Sequence, residues 1–101
     1  MSHNEQHDTD DEATFAEARL VEAVENQVAA GEPAAALATL NKLTLVGYER
    51  GEALRLMALI LAYEIENMLA ENRSFDVAGY ERLLRALPEL PEALNDDESS
   101  H

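Results

Sequence analysis

The chain has 101 residues, of which 21 are acidic and 7 are basic, so its net charge is −14, and it contains no cysteine. This length fits one domain, and the lack of cysteine excludes disulfides and thiolate metal sites. The acidic balance argues against binding to nucleic-acid phosphates or to an anionic membrane surface, so neither is predicted as a partner.

Much of the charge lies at the two ends of the chain. Residues 1–12 contain five acidic residues and residues 95–101 contain three, and neither segment contains lysine or arginine. Polar segments of one charge bury too little apolar surface to offset the entropy lost on ordering. We therefore predict disordered acidic tails over 1–12 and 92–101, around a helical domain over 13–91. The N-terminal segment shows no secretory-signal pattern, and a cytoplasmic location is expected.

The first predicted helix covers about residues 14–30. Thr14 and Glu17 have the spacing of a capping box at its start, and Thr9 with Glu12 offers an alternative start. Its apolar stripe repeats every three or four residues and consists of Leu20, Val21, Val24 and Val28.

The second predicted helix covers about residues 33–45. Gly31 is a typical residue to end the first helix, and Pro33 is typical of the first turn of the next. Gly47 is predicted to end the second helix. Its apolar stripe consists of Ala36, Leu37, Leu40, Leu43 and Thr44.

The third predicted helix, over about residues 49–72, dominates the sequence. Between Ala53 and Tyr63 it carries a single charge, at Arg55, and no glycine or proline. One apolar face consists of Leu54, Met57, Ala58, Leu61, Ile65, Met68 and Leu69. A second, smaller face consists of Ala53, Leu56, Ile60 and Tyr63. The run without a charge, from Leu56 to Tyr63, is too short to span a membrane.

A helix with two apolar faces must be covered on more than one side. It is therefore either buried at the centre of its own domain, or packed against its own domain on one face and a second subunit on the other. Three other short helices offer little material to surround it. We favour the second alternative and predict an association surface formed by Leu56, Leu59, Ile60 and Tyr63, with a homodimer or a helical protein as partner.

The fourth predicted helix covers about residues 76–87. Asp76 is a good N-cap, and Phe75 and Tyr80 have the spacing of a hydrophobic staple. Pro88 ends the helix. No segment alternates with a period of two, so the predicted fold is all-α: a compact four-helix bundle around one long central helix.

Glu64 stands out because its neighbours on the helix surface are apolar. A carboxylate in such a setting needs a hydrogen-bond donor to remain charged. The functional interpretation is a general base, a ligand or a switch, and the structural one is a hydrogen bond to a neighbouring helix. Glu22 and Glu25 could join it in a carboxylate cluster, but all three histidines lie in the predicted tails. We predict no catalytic residue, no metal site and no cofactor.

Turn, cap and core positions between Leu20 and Pro91 resemble a group of small bacterial proteins known only as a domain of unknown function. The matching positions are Val24-Glu25-Asn26-Gln27, Gly31-Glu32-Pro33, Leu43, Gly47, Glu52-Ala53, Glu64-Ile65, Phe75-Asp76, Tyr80 and Leu87-Pro88. The resemblance implies a cytoplasmic bacterial helical protein and names no activity. Many members carry histidines where this chain has Val21 and Arg55, which implies that a metal site built on those histidines is absent here.

Three functional hypotheses follow. The first is a non-enzymatic module that associates with itself or with a partner helix through the predicted association surface. The second is an acidic inhibitor that imitates nucleic acid and occupies a basic protein site. The third is a small enzyme or metal protein that uses the carboxylates of Glu25 and Glu64. We favour the first because of the second apolar face.

Overall fold

The computed structural model of the chain describes the backbone of residues 3–95 and the side chains of residues 15–94. Four α-helices are followed by one short 3-10 helix, and the described residues contain no strand. The elements are α1 His3–Ala30, α2 Ala34–Leu45, α3 Arg50–Glu71, α4 Val77–Ala86 and the 3-10 helix Glu92–Asn95. The helices pack against one another, so the predicted all-α bundle is confirmed.

The extents of α2, α3 and α4 agree with the predicted ranges 33–45, 49–72 and 76–87 to within one residue at each end. The residues by which they differ are helix caps, whose backbone is only half helical. These caps are Pro33, Glu49, Asn72, Asp76 and Leu87.

Two glycines end α1 and α2, as the sequence predicts. Gly31 has a φ of 70° and Gly47 a φ of 112°, in the left-handed region that glycine adopts without a Cβ clash. After each glycine, a backbone amide donates back to a carbonyl in the last turn of the helix, as in a Schellman motif. α3 ends in the same way at Asn72, with a φ of 55°, and this turn directs the chain into Arg73.

The start of α1 differs from the prediction. The helix begins at His3 and passes through Thr14, which the sequence predicted as its N-cap. Residues 3–12, predicted as part of a disordered tail, are therefore helical. This segment contains no glycine or proline, and acidic residues near a helix N-terminus are stabilised by the helix macrodipole.

The predicted C-terminal tail begins with ordered backbone. Leu94 N–H donates to the carbonyl of Pro91 at 2.9 Å, within the 3-10 helix, and its side chain packs against the core. Residues 1–2 and 96–101, the remainder of the two predicted tails, lie outside the described residues.

α3 is the centre of the core because it supplies more buried residues than α2 or α4 and contacts α1, α2 and α4. Its buried apolar residues come from both predicted apolar faces and are Ala53, Leu54, Met57, Ala58, Ile60 and Leu61, and the carboxylate of Glu64 is buried beside them. The other buried core residues are Val24, Ala35, Ala36, Thr39, Leu40, Leu43, Tyr80, Leu84 and Leu87. The expectation that the chain could not cover the second face is therefore wrong for Ala53 and Ile60, since three helices contact α3.

α4 is attached to the bundle by its first turn. Asp76 Oδ1 accepts from Gly79 N–H at 3.1 Å, and the rings of Phe75 and Tyr80 meet edge to face at 5.3 Å, so the predicted cap and staple are confirmed. Tyr80 O–H then donates to Gln27 Oε1 at 2.7 Å, which links α4 to α1. Burial raises the pKa of Tyr80 to about 12, although the hydrogen bond with Gln27 acts to lower it.

Tyr80 makes stability fall at high pH. Because its folded pKa lies above the unfolded value, the unfolded chain loses this proton first, and stability declines as pH rises from about 10 to about 12. At about pH 8, Tyr80→Phe should lower the free energy of unfolding by about 1 kcal/mol through loss of the hydrogen bond. Urea unfolding should show this gap closing as pH rises from about 10 to about 12, and reversing sign if the full change of about 1 to 2 kcal/mol is reached. A constant gap would contradict the assignment.

Thr39 is 2% exposed, and its hydroxyl has no hydrogen-bond partner among the described residues. Thr39→Val keeps the shape and removes the unpaired polar atom, so we expect the free energy of unfolding to rise by about 1 kcal/mol. The matched control is Thr44→Val on the same helix. Thr44 is exposed and donates to the carbonyl of Asn41 at 3.0 Å, so its replacement should give no gain. Urea unfolding of both variants tests this, and a less stable Thr39→Val would refute it.

Candidate functional site

A groove with a volume of about 690 Å³ runs between α1 and α3. We call it the α1–α3 groove. Its apolar lining is made by small and aliphatic residues from both helices: Ala16, Leu20, Leu56, Ala58, Leu59 and Ala62. Because alanine carries only a methyl group, the alanines leave room between the two helices.

Polar residues also line the α1–α3 groove. These are Glu17 on α1, Tyr48 in the connection before α3, and Glu52 and Arg55 on α3. An adjoining hollow of about 270 Å³ shares Glu17 and Arg55 and adds the carboxylates of Glu22 and Glu25. Both openings are therefore bordered by ionised groups of both signs, with carboxylates in the majority.

Only some of these charged groups are paired within the chain. Arg50 Nη1 donates to Glu25 Oε2 at 3.0 Å. Glu17, Glu52 and Arg55 make no ion pair with another residue in the part of the chain that the structure describes. Their charges are therefore available to a bound molecule.

The four residues of the predicted association surface occupy different environments. Leu56 and Leu59 line the α1–α3 groove, and Leu59 is 45% exposed. Tyr63 is half-buried. Ile60 is 0% exposed and belongs to the core, so its assignment to a surface is corrected. The reason is the helical period: Ile60 is one residue, or about 100°, away from Leu59 and points into the bundle.

The α1 wall of the groove was missed by the sequence reasoning. Leu20, part of the predicted apolar stripe of α1, packs against the core as a half-buried residue and also lines the groove together with Ala16. Glu25 pairs with Arg50 at the start of α3, whereas the earlier Ala16 and Leu20 line the groove with Leu59 farther along α3, so the two helices run in opposite directions. The available signal was the weak, alanine-rich start of the α1 stripe, which leaves the facing side of α3 incompletely covered.

Glu64 is 3% exposed. It lies in the second half of α3, whereas the groove begins near the start of this helix, at Glu52. Its Oε2 accepts from Arg73 Nη1 at 2.8 Å and from the backbone N–H of Asp76 at 3.1 Å. Arg73 follows the left-handed turn at Asn72, which folds the chain back over the last turns of α3. The buried carboxylate thus joins α3 to the segment that begins α4.

Arg73 is shared between two carboxylates. Its Nε donates to Glu71 Oε1, and hydrogen bonds to Glu64 and then to Glu71 raise the pKa of Arg73 above its usual value. Arg73 therefore stays charged at any physiological pH, and the pair with Glu64 is a fixed structural contact. Such a contact holds the connection between α3 and α4 in place.

The carboxylates of the third hypothesis are not brought together. Glu25 pairs with Arg50, and Glu64 pairs with Arg73. The described residues contain no group of three or more histidine, cysteine, aspartate or glutamate side chains arranged to hold a metal ion. The α1–α3 groove instead offers apolar surface beside unpaired charges, which suits the binding of another apolar surface.

Removal of Glu64 should destabilise the fold more than removal of Glu71. Glu64→Ala leaves the Asp76 amide without its acceptor and removes the buried carboxylate from the Arg73 guanidinium, which keeps Glu71. We expect a loss of about 2 to 3 kcal/mol. Glu71→Ala removes the exposed carboxylate from the same arginine and should change stability by less than about 0.5 kcal/mol. Thermal and urea unfolding measure both. Equal losses in the two variants would contradict the role given to Glu64.

Comparison of the chain with protein-family models, curated proteins and solved structures finds no match. The resemblance to the bacterial group therefore stays a prediction. Among the described helices, none offers an apolar stretch long enough to pass through a lipid bilayer.

Proposed function

We propose that this chain is a non-enzymatic helical module that uses the α1–α3 groove to bind the apolar face of another helix, in a partner protein or in a second copy. The observation that carries the proposal is the exposure of Leu59. It lies in the middle of the central helix, yet 45% of it remains accessible to solvent.

An exposed leucine on its own is ordinary, since much of any protein surface is apolar. Leu59 differs because it lines a concave surface together with Leu20, Leu56 and three alanines. Apolar grooves between helices are a recurrent binding site for amphipathic helices, which insert side chains from one face. This concavity supports a docking function more than an isolated surface leucine would.

The length of the groove also suits a helix. On α3 it runs from Glu52 to Ala62, which corresponds to about 15 Å at the rise of an α-helix. A docked helix with apolar residues at positions i, i+4 and i+7 presents them over about 10 Å. Three anchoring side chains can therefore be accommodated along the groove.

The other two hypotheses have less support. Glu25 and Glu64 are separate and each is bound by an arginine, so an enzyme or metal protein built on them is disfavoured. An acidic inhibitor would depend on terminal segments whose side chains lie outside the described residues. The cytoplasmic location and the bacterial origin expected from the sequence stay predictions.

The proposal is tested with Leu59→Gln, which replaces the exposed side chain by a polar one of good helix propensity. Wild-type chain should either form a dimer at high micromolar concentration or bind a synthetic amphipathic helix with leucines at i, i+4 and i+7 and glutamine elsewhere. Sedimentation measures the first and titration calorimetry the second. Leu59→Gln should weaken whichever association occurs by about tenfold.

The matched control is Leu45→Gln. Leu45 is 86% exposed at the end of α2 and does not line the groove, so its replacement should leave association unchanged. Both variants should retain the melting temperature of the wild type because both positions are exposed. A strictly monomeric chain that fails to bind the peptide would refute the proposed function.

A further inference from the structure

We propose that the occupant of the α1–α3 groove is an amphipathic helix that carries lysine or arginine beside its apolar face, rather than a second copy of this chain. This inference rests on the proposed function and adds the charge of the partner. It is carried by the distribution of unpaired charges around the groove and by the net charge of the chain.

Each wall of the groove contributes an exposed carboxylate. Glu17 belongs to α1 and Glu52 to α3, and neither makes an ion pair with another described residue. A helix lying on the apolar lining would therefore have a carboxylate on both sides. Lysine and arginine at the positions that flank its apolar face are the side chains that complement this arrangement.

The surroundings of the groove are also negative. Glu22 and Glu25 line the adjoining hollow, and Arg50 neutralises only Glu25. Among the described residues that line the groove, Arg55 is the one cation. Within residues 15–94, the carboxylates of Glu17, Glu22 and Glu52 make no ion pair and outnumber the single unpaired guanidinium of Arg55. The local potential therefore favours a cationic partner.

A second copy suits this groove less well. A symmetric dimer through the groove would bring Glu17 and Glu52 of both copies into one interface, and each chain has a net charge of −14. Like charges brought together at an interface oppose association, whereas opposite charges accelerate it. The same charges that oppose self-association attract a basic helix.

Arg55 allows a test in which substitutions of opposite charge change the binding affinity in opposite directions. Because it is the cation among the carboxylates, it repels the lysines of a basic helix. Arg55→Gln should therefore tighten binding of such a helix, while the double variant Glu17→Gln/Glu52→Gln should weaken it. All three positions are exposed, so a change in fold stability does not produce these opposite effects.

The experiment uses the full chain and two synthetic helices. Both carry leucine at i, i+4 and i+7, and one is flanked by lysine while the other is flanked by glutamate. At low salt, calorimetry should give an affinity for the lysine peptide at least about tenfold higher than for the glutamate peptide. This difference should shrink at high salt, because salt screens the charges. A lysine peptide with its leucines scrambled should bind far more weakly.

Leu59→Gln separates docking in the groove from general attraction to an acidic chain. It leaves every charge in place and should weaken binding of the lysine peptide by about tenfold. Retention of full affinity in this variant would overturn the inference, because binding would then depend on charge alone. Glu17→Gln/Glu52→Gln should reduce affinity about threefold or more, and Arg55→Gln should raise it by a similar factor.

The outcomes distinguish this inference from the proposed function. If both peptides bind equally well and both depend on Leu59, the groove is a docking site and the charge selectivity is refuted. If the chain dimerises through Leu59 and neither peptide competes, the proposed function survives as self-association and the inference is refuted. If the chain is monomeric and binds neither charged peptide nor the leucine–glutamine helix, the proposed function and this inference are both refuted.

Discussion

The contact of α3 with each of the other three helices is the constraint on which the structure depends. α3 supplies buried residues from two faces, and α1, α2 and α4 all pack against it. Because the described residues contain no disulfide and no metal cluster, the burial of apolar surface around α3 is the main force that holds the bundle together. Short turns between the helices then keep each neighbour in place.

Two polar contacts hold the beginning of α4 against this core. Glu64 accepts hydrogen bonds from Arg73 and from the backbone of Asp76, and Tyr80 donates to Gln27 on α1. Each contact satisfies a polar group that burial would otherwise leave unpaired. They act on the beginning of α4, where Asp76 already caps the helix. A carboxylate that invites a catalytic interpretation is therefore part of the attachment of the last helix.

The α1–α3 groove follows from incomplete packing along the same central helix. α1 faces α3 with alanine and one leucine in this region, and they leave Leu59 partly uncovered. A groove of this kind combines an apolar floor with flexible charged side chains at its edges. The apolar part supplies affinity through burial, and the charges select among partners. Its proposed role depends on this combination, which neither helix has alone.

Features that depend on neighbouring residues were determined by the sequence itself. They include the number of helices, the ends of α2, α3 and α4, the glycines that terminate α1 and α2, and the capped start of α4. The cap of Asp76 and the staple of Phe75 with Tyr80 join residues within about one turn of helix, so their spacing is sufficient to predict them. The start of α1 is the exception: the acidic composition of residues 3–12 predicts disorder, whereas the segment has no glycine or proline and is helical.

Features that depend on how helices align were decided only by the tertiary structure. Periodicity identifies the two apolar faces of α3, but it does not say which face the chain covers or that Ile60 is buried while Leu59 is not. The partner of Glu64 is Arg73, beyond a left-handed turn, and the wall opposite Leu59 comes from the distant Leu20. The physical reason is that the alignment of α1 against α3 results from the packing of all four helices together, which no local pattern encodes.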